Sequence, residues 1–167
     1  MNHLALAIIA VVAAQRLGEM IYAMRNTRLL LVQGAVEMGS GHYPLIVLLH
    51  AAWLVAIALA LPAATVIYPI PLILFFILQA LRIWVIASLG RFWTTRIITL
   101  PNAKLVKRGP YRWMRHPNYV VVAGEIAMLP LAFGEIWVAL IFSLLNAGIL
   151  FWRIREEERA LAPRRKL

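Results

Sequence analysis

The chain has no cysteine, which excludes disulfides, thiolate metal sites and thiol nucleophiles. Charge is thin as well. Only 14% of residues are charged, where a soluble domain carries roughly 25%. From Met38 to Leu81 there is no Asp, Glu, Lys or Arg at all. Internal repeats and low-complexity linkers are missing. So is the positively charged start of a signal peptide, so the N-terminal apolar run is expected to be a first membrane helix. What fills the chain is apolar: 63% of 167 residues. This composition predicts an integral membrane protein, and the length allows a single domain over 1–167.

A spanning helix needs about 20 mostly apolar residues. Five such segments are expected, giving an all-α bundle with about five transmembrane helices. The first covers about 3–24 and ends in polar turns carrying Gln15, Arg16 and Glu19. Pro62, Pro69 and Pro71 break the long uncharged stretch into helices at about 44–61 and 70–89, with a turn between them. Two shorter runs, about 118–133 and 136–152, are separated by Pro130 and Gly134 and predict a tight helical hairpin. The tail 153–167 is charged and is expected to begin as a continuation of the last helix.

The net charge is +10. In a soluble protein that would suggest nucleic-acid binding. Here the bases lie in blocks beside apolar runs, so anionic lipid headgroups and topology account for them, and no nucleic-acid partner is expected. Between them, the turns near 62–69 and 130–136 hold only Glu135. Segment 90–116 holds Arg91, Arg96, Lys104, Lys107, Arg108, Arg112 and Arg115. Loop 25–43 adds Arg25 and Arg28, and the tail adds six more bases. With five spans all basic segments share one face, which the positive-inside rule makes cytoplasmic. The N-terminus is then outside and the C-terminus inside.

Four groups of residues could carry chemistry. In 104–119, KLVKRGPYRWMRHPNY, Gly109-Pro110 forces a turn, and Pro117 places His116 at a helix entrance. A helix N-terminus favours a carboxylate or phosphate, and Tyr111, Trp113 and Tyr119 could stack on a nucleobase. The plainer account is an interfacial aromatic belt with headgroup-binding bases. Second, Arg153 and Glu157 are four apart on a continuing helix and share a face, with Glu156, Glu158, Arg155 and Arg159 beside them. Surface ion pairs explain these equally simply. Third, Glu125 sits inside an apolar run, where a carboxylate is costly. Its partner is expected to be Arg82, or Arg16 and Glu19, in a functional or a purely structural pair. Fourth, His42 and His50 follow Glu37. Two histidines without supporting carboxylates make a weak metal site, so no metal is assigned. His42 could act as a base near pH 7.

The sequences Lys104-Leu105-Val106, Gly109-Pro110-Tyr111 and Arg115-His116-Pro117-Asn118-Tyr119, followed by Arg153-Ile154 and Glu157-Glu158, resemble the isoprenylcysteine carboxyl methyltransferase family over about 89–161. That family comprises small membrane enzymes that use S-adenosylmethionine. The N-terminal half is similar to a bacterial branch linked to O-methylation of alkylpyrones and alkylresorcinols, which implies a bacterial inner membrane. The resemblance implies a cofactor-binding part over about 89–167. Lys104, Val106, Gly109, Tyr111, Arg115, His116, Pro117 and Tyr119 would bind the cofactor. Glu157 and Glu158 would hold its amino-acid end or ribose, and Arg153 with Glu157 would sit at the reacting centre. Where the family often has Gly two positions after the Tyr of the Arg-His-Pro motif, this chain has Val121, with Gly124 later.

The chemistry implied is O-methylation of a lipophilic or lipidated acceptor, either an isoprenylcysteine-like carboxylate or a long-chain pyrone or phenol, beside membrane lipids. A phenol needs help with deprotonation, for which Glu37, His42 and Glu125 are candidates. The rivals are an NADPH-dependent sterol-type reductase, a phospholipid or amine N-methyltransferase, and a non-enzymatic protein that binds anionic lipid.

Overall fold

The structure, a computed structural model, describes residues 3–62 and 64–166. The side chains of His42 and Lys166 lie outside the described residues, and so does the expectation that His42 serves as a base. Five α-helices make up the body: α1 His3–Val32, α2 Tyr43–Ala60, α3 Pro69–Leu89, α4 Pro117–Ala132 and α5 Ile136–Leu161. Four of them, α1, α2, α3 and α5, are long and apolar enough to cross a membrane. The all-α membrane bundle is therefore as expected. The fifth, α4, has 16 residues. At about 1.5 Å per residue it is shorter than a hydrocarbon core of roughly 30 Å.

Two expectations change. Helix α1 does not stop near residue 24 but runs to Val32. Arg16 and Glu19 are therefore mid-helix rather than at a polar end. Arg16 bonds Glu19 at 3.0 Å and Glu125 at 2.8 Å, and Arg82 bonds Glu19 at 2.7 Å and Glu125 at 2.8 Å. Two cations and two anions from α1, α3 and α4 cancel inside the bundle, so the helix need not end at its charges. Glu125 is 1% exposed and Arg82 6%. The expected partners of Glu125 are all present. Arg25 and Arg28 then lie on the last turns of α1 rather than in a loop.

The core lies among α1–α5 and is built on Trp53, Ile57, Phe75, Ile126 and Leu129. Pro130 has no N–H, so the Ile126 carbonyl four residues earlier lacks its helical donor. Trp53 Nε1 from α2 donates to that carbonyl at 3.2 Å. The proline thus opens a site through which two helices are joined. At Gly124 a Cβ would fall 2.7 Å from Leu78 Cδ1, so this glycine sets the close approach of α3 and α4 rather than any contact at the site.

At one end of the bundle the two short turns meet: Tyr68 N donates to the Ala132 carbonyl at 2.8 Å. At the other end, β1 Val36–Met38 pairs antiparallel with β2 Ile97–Thr99, with Val36 opposite Thr99 and Met38 opposite Ile97. Arg96 bonds Glu37 across this ribbon at 3.0 Å. Asn26 Nδ2 ties α1 to the Gly90 and Trp93 carbonyls at 3.2 and 2.9 Å. The basic segments are therefore gathered at one end, opposite the Glu135 turn.

Candidate active site

The loop before α4 is fixed by backbone chemistry. Gly109 has φ +56°, and a Cβ there would lie 2.0 Å from Ser88 Oγ. Only glycine fits at so close an approach in that conformation. Arg108 Nε donates to the Ser88 carbonyl at 2.7 Å, which pins the same loop to the end of α3. Gly109 thus packs against α3 and shapes the loop from behind. His116 stands at the N-cap position of α4 in a non-helical conformation (φ −128°), and Pro117 takes the first helical position, the helix entrance expected from the sequence.

These constraints bring the two distant motifs together. His116 Nε2 bonds Glu158 at 2.8 Å, and its Nδ1 lies 3.8 Å from Glu157. The His116 ring stacks on Tyr119 at 5.3 Å between centroids. Arg153 Nε donates to the Tyr119 hydroxyl at 2.8 Å, and that hydroxyl in turn donates to the Glu157 carboxylate. Arg153 is 8% exposed. The tail closes the far side: Arg164 Nε donates to the Ala103 carbonyl at 2.7 Å, and Arg165 pairs with Glu158.

A cavity of about 460 Å³ opens at the basic end. Lys104, Val106, Tyr111, Arg115 and His116 line it on the loop side, and Arg153 and Glu157 on the α5 side. Burial, with the Glu157 charge second, pushes the Tyr111 phenol above its usual value, so it remains protonated. Pro117 and Tyr119 do not line it; the Tyr119 hydroxyl bonds Glu157 and Arg153, which do. Glu158 is reached through His116. Trp113 is 70% exposed and edges onto Trp84, away from the cavity. Glu37 is engaged by Arg96, and Glu125 by its two arginines. Neither lines this cavity.

A second cavity of about 330 Å³ lies among the helices. Its walls are largely apolar, with Leu17 and Met20 from α1, Ile46 and Leu54 from α2, and Val122 and Leu150 from α4 and α5. Thr94 and Arg153 line both cavities. Thr94 was not anticipated. It carries no charge and was given no site role in the 89–96 segment, and its place depends on the α3 exit being held by Asn26. The Arg164 and Arg165 contacts were also missed, since basic tail residues look alike until the chain folds back on itself.

The family model described as the isoprenylcysteine carboxyl methyltransferase family matches residues 71–163, from α3 to the end of α5. The chain belongs to this family. Among relatives of this family member, "Uncharacterized protein YpbQ" of Bacillus subtilis is 39% identical over 92% of the chain and 94% of its own length. An "Uncharacterized protein" of Haemophilus influenzae is 25% identical over 92% of each. No solved structure matches. Membership in the isoprenylcysteine carboxyl methyltransferase family points to a membrane methyltransferase, and the motifs that define the cavity at the basic end fall inside the matched region.

Proposed function

We propose that this protein is an S-adenosylmethionine-dependent O-methyltransferase acting on a lipophilic acceptor at the cytoplasmic membrane surface. The observation that carries the reading is that a cavity at the basic end, whose wall includes Lys104, Arg115 and Glu157, and a largely apolar cavity among the helices share Arg153 and Thr94 in their walls. A charged, water-soluble donor and a lipid-embedded acceptor need such adjoining cavities in order to meet. The donor set suits S-adenosylmethionine. Lys104 and Arg115 offer cations to its carboxylate, Glu157 offers an anion to its ammonium or sulfonium, and Tyr111 offers an aromatic face. Glu158 holds the His116 ring in place. The volume falls within the range of about 300–1,000 Å³ typical of ligand pockets.

When bound, S-adenosylmethionine would supply a methyl carbon whose bond to sulfur breaks, with the electron pair left on sulfur, as an already ionised acceptor oxygen (a carboxylate, or a phenol or pyrone that has given its proton to water) forms the C–O bond. The residues of this chain align and exclude water, and alignment alone is worth many kcal/mol. Arg153 orients the acceptor oxygen, and Tyr119 holds the Arg153 guanidinium. The acceptor is an isoprenylcysteine-like carboxylate or a long-chain pyrone or phenol. The whole chain, 1–167, acts as one domain in a bacterial inner membrane, with the basic end cytoplasmic and the N-terminus outside. In the test, purified protein is incubated with labelled S-adenosylmethionine and a lipid extract. Label transferred to an extractable lipid supports the reading. Saturable NADPH binding without methyl transfer would replace it with the reductase.

A further inference from the structure

A third cavity, of about 500 Å³, lies beside the exit of α3. Four cations line it: Arg91, Lys104, Lys107 and Arg108. The rest of its wall is apolar, from Leu89, Phe92, Leu105 and Val106. It shares the 104–107 wall with the cavity assigned to the methyl donor, but Arg91 and Arg108 line neither of the other two cavities. Among the described residues, the protein supplies these four cations with no counter-charge. All seven acidic residues are engaged or placed elsewhere. Glu19 and Glu125 neutralise Arg16 and Arg82 inside the bundle, Glu37 takes Arg96, Glu156 takes Arg159, and Glu158 takes His116 and Arg165. Glu157 bonds Tyr119, and Glu135 is in the turn at the opposite end.

Two of the cations are held in place. Arg108 Nε donates to the Ser88 carbonyl at 2.7 Å, which leaves both Nη groups for a forked contact with an oxyanion. The Arg91 guanidinium rests over the Phe92 ring, 4.9 Å from its centroid. Groups pinned in this way lose little further freedom on binding. Position narrows the anion. Leu89 is the last residue of α3, a helix long and apolar enough to cross a membrane. Just over one turn before it, Trp84 edges onto Trp113 at 5.8 Å, and both are exposed. Exposed tryptophans at the end of a spanning helix mark headgroup depth. The cavity therefore opens where lipid phosphates lie, and its apolar wall suits the glycerol ester region beneath them. With no acid in the wall, the ammonium of a zwitterionic headgroup meets only like charge.

We propose that this cavity is a binding site for one anionic glycerophospholipid, whose phosphodiester is received by Arg91 and Arg108 with Lys107 beside them. The lipid is a bound partner and not a methyl acceptor, so the site does not rest on the methyl-transfer reading. The cationic wall selects a headgroup without an ammonium, and the apolar wall selects a lipid over a soluble phosphate.

The test uses the full-length protein in an uncharged detergent, titrated separately with dioleoyl phosphatidylglycerol and dioleoyl phosphatidylcholine and read by native mass spectrometry. One phosphatidylglycerol is expected to stay bound, about tenfold tighter than phosphatidylcholine, the scale of one charge-assisted hydrogen bond. Arg91→Gln with Arg108→Gln should erase that preference. Arg25→Gln with Arg28→Gln removes the same charge from the last turns of α1 and should keep it. If the first double variant fails to fold, Arg91→Gln with Lys107→Gln spares the Arg108 bond to Ser88 and should weaken phosphatidylglycerol binding by about tenfold. Equal retention of the two lipids, a preference that survives the loss of Arg91 and its neighbour, or an equal loss in the Arg25 and Arg28 variant overturns the inference; in the last case general surface charge is the cause. Displacement of the lipid by equimolar glycerol 3-phosphate overturns it as well, and makes the occupant a soluble phosphate.

Discussion

Arg153 on α5 donates to the hydroxyl of Tyr119 on α4 at 2.8 Å, and the same hydroxyl is bonded to Glu157 one turn further along α5. A cation and an anion four residues apart are thus linked by one phenol from another helix. Tyr119→Phe keeps the ring that stacks on His116 but removes the link. A hydrogen bond to a charged group is worth about 1.5–3 kcal/mol, so kcat/KM should fall roughly ten- to a hundredfold. Accumulation in the membrane should be near normal. Steady-state kinetics on the variant check this, and an unchanged kcat/KM would mean that the link is only structural.

Arg153→Ala and Glu157→Ala should abolish turnover while the protein still accumulates in the membrane. His116→Ala acts differently, because its ring joins Glu158 and stacks on Tyr119 without touching the second cavity. It should weaken S-adenosylmethionine binding in calorimetry by about tenfold, the scale of one lost charge-assisted hydrogen bond. Acceptor affinity should be little changed. Full activity of both α5 variants removes them from the reacting centre.

Local rules carried much of this site. Pro117 announced a helix entrance at His116, and the four-residue spacing put Arg153 and Glu157 on one face. Glu125, alone in an apolar run, announced its own ion pairs. The failures share one physical cause. Arg16 and Glu19 looked like a helix end because their neutralising partners, Arg82 and Glu125, lie far along the chain. Nothing near Asn146 marks it as facing a cavity, and Thr94 reaches both cavities only after Asn26 anchors the exit of α3. Spacing within one helix is legible from sequence; which helices meet at a given depth is not.

The buried quartet gives a stability prediction. Glu125→Ala leaves Arg82 and Arg16 short of a partner within the bundle. Removing one member of a buried pair costs about 3–5 kcal/mol, because a charge is left uncompensated. The double variant Arg82→Met with Glu125→Leu takes out one charge of each sign and leaves Arg16 with Glu19. It should lose less stability than Glu125→Ala alone. Thermal unfolding in detergent measures both, and a double variant weaker than the single one would contradict the charge-balance account.

Glu135, in the turn before α5, sets a pH dependence. Both its carboxylate oxygens are buried without a hydrogen-bond partner, and this burial pushes its pKa up to about 7. Between the ordinary value of 4.5 and about 7 the folded state holds a proton that the unfolded chain has released. Stability contributed by the neutral carboxyl is therefore full below 4.5, declines as the pH rises toward 7, and is level above that. Glu135→Gln keeps the shape and cannot ionise. At pH about 8 it should raise the melting temperature by about 2–4 °C, the response of a chain this size to about 1 kcal/mol, and at pH about 4 the gain should vanish. Melting curves of the two proteins across that range test the assignment. A constant difference at every pH would show that the carboxylate is solvated and that the turn owes nothing to its protonation.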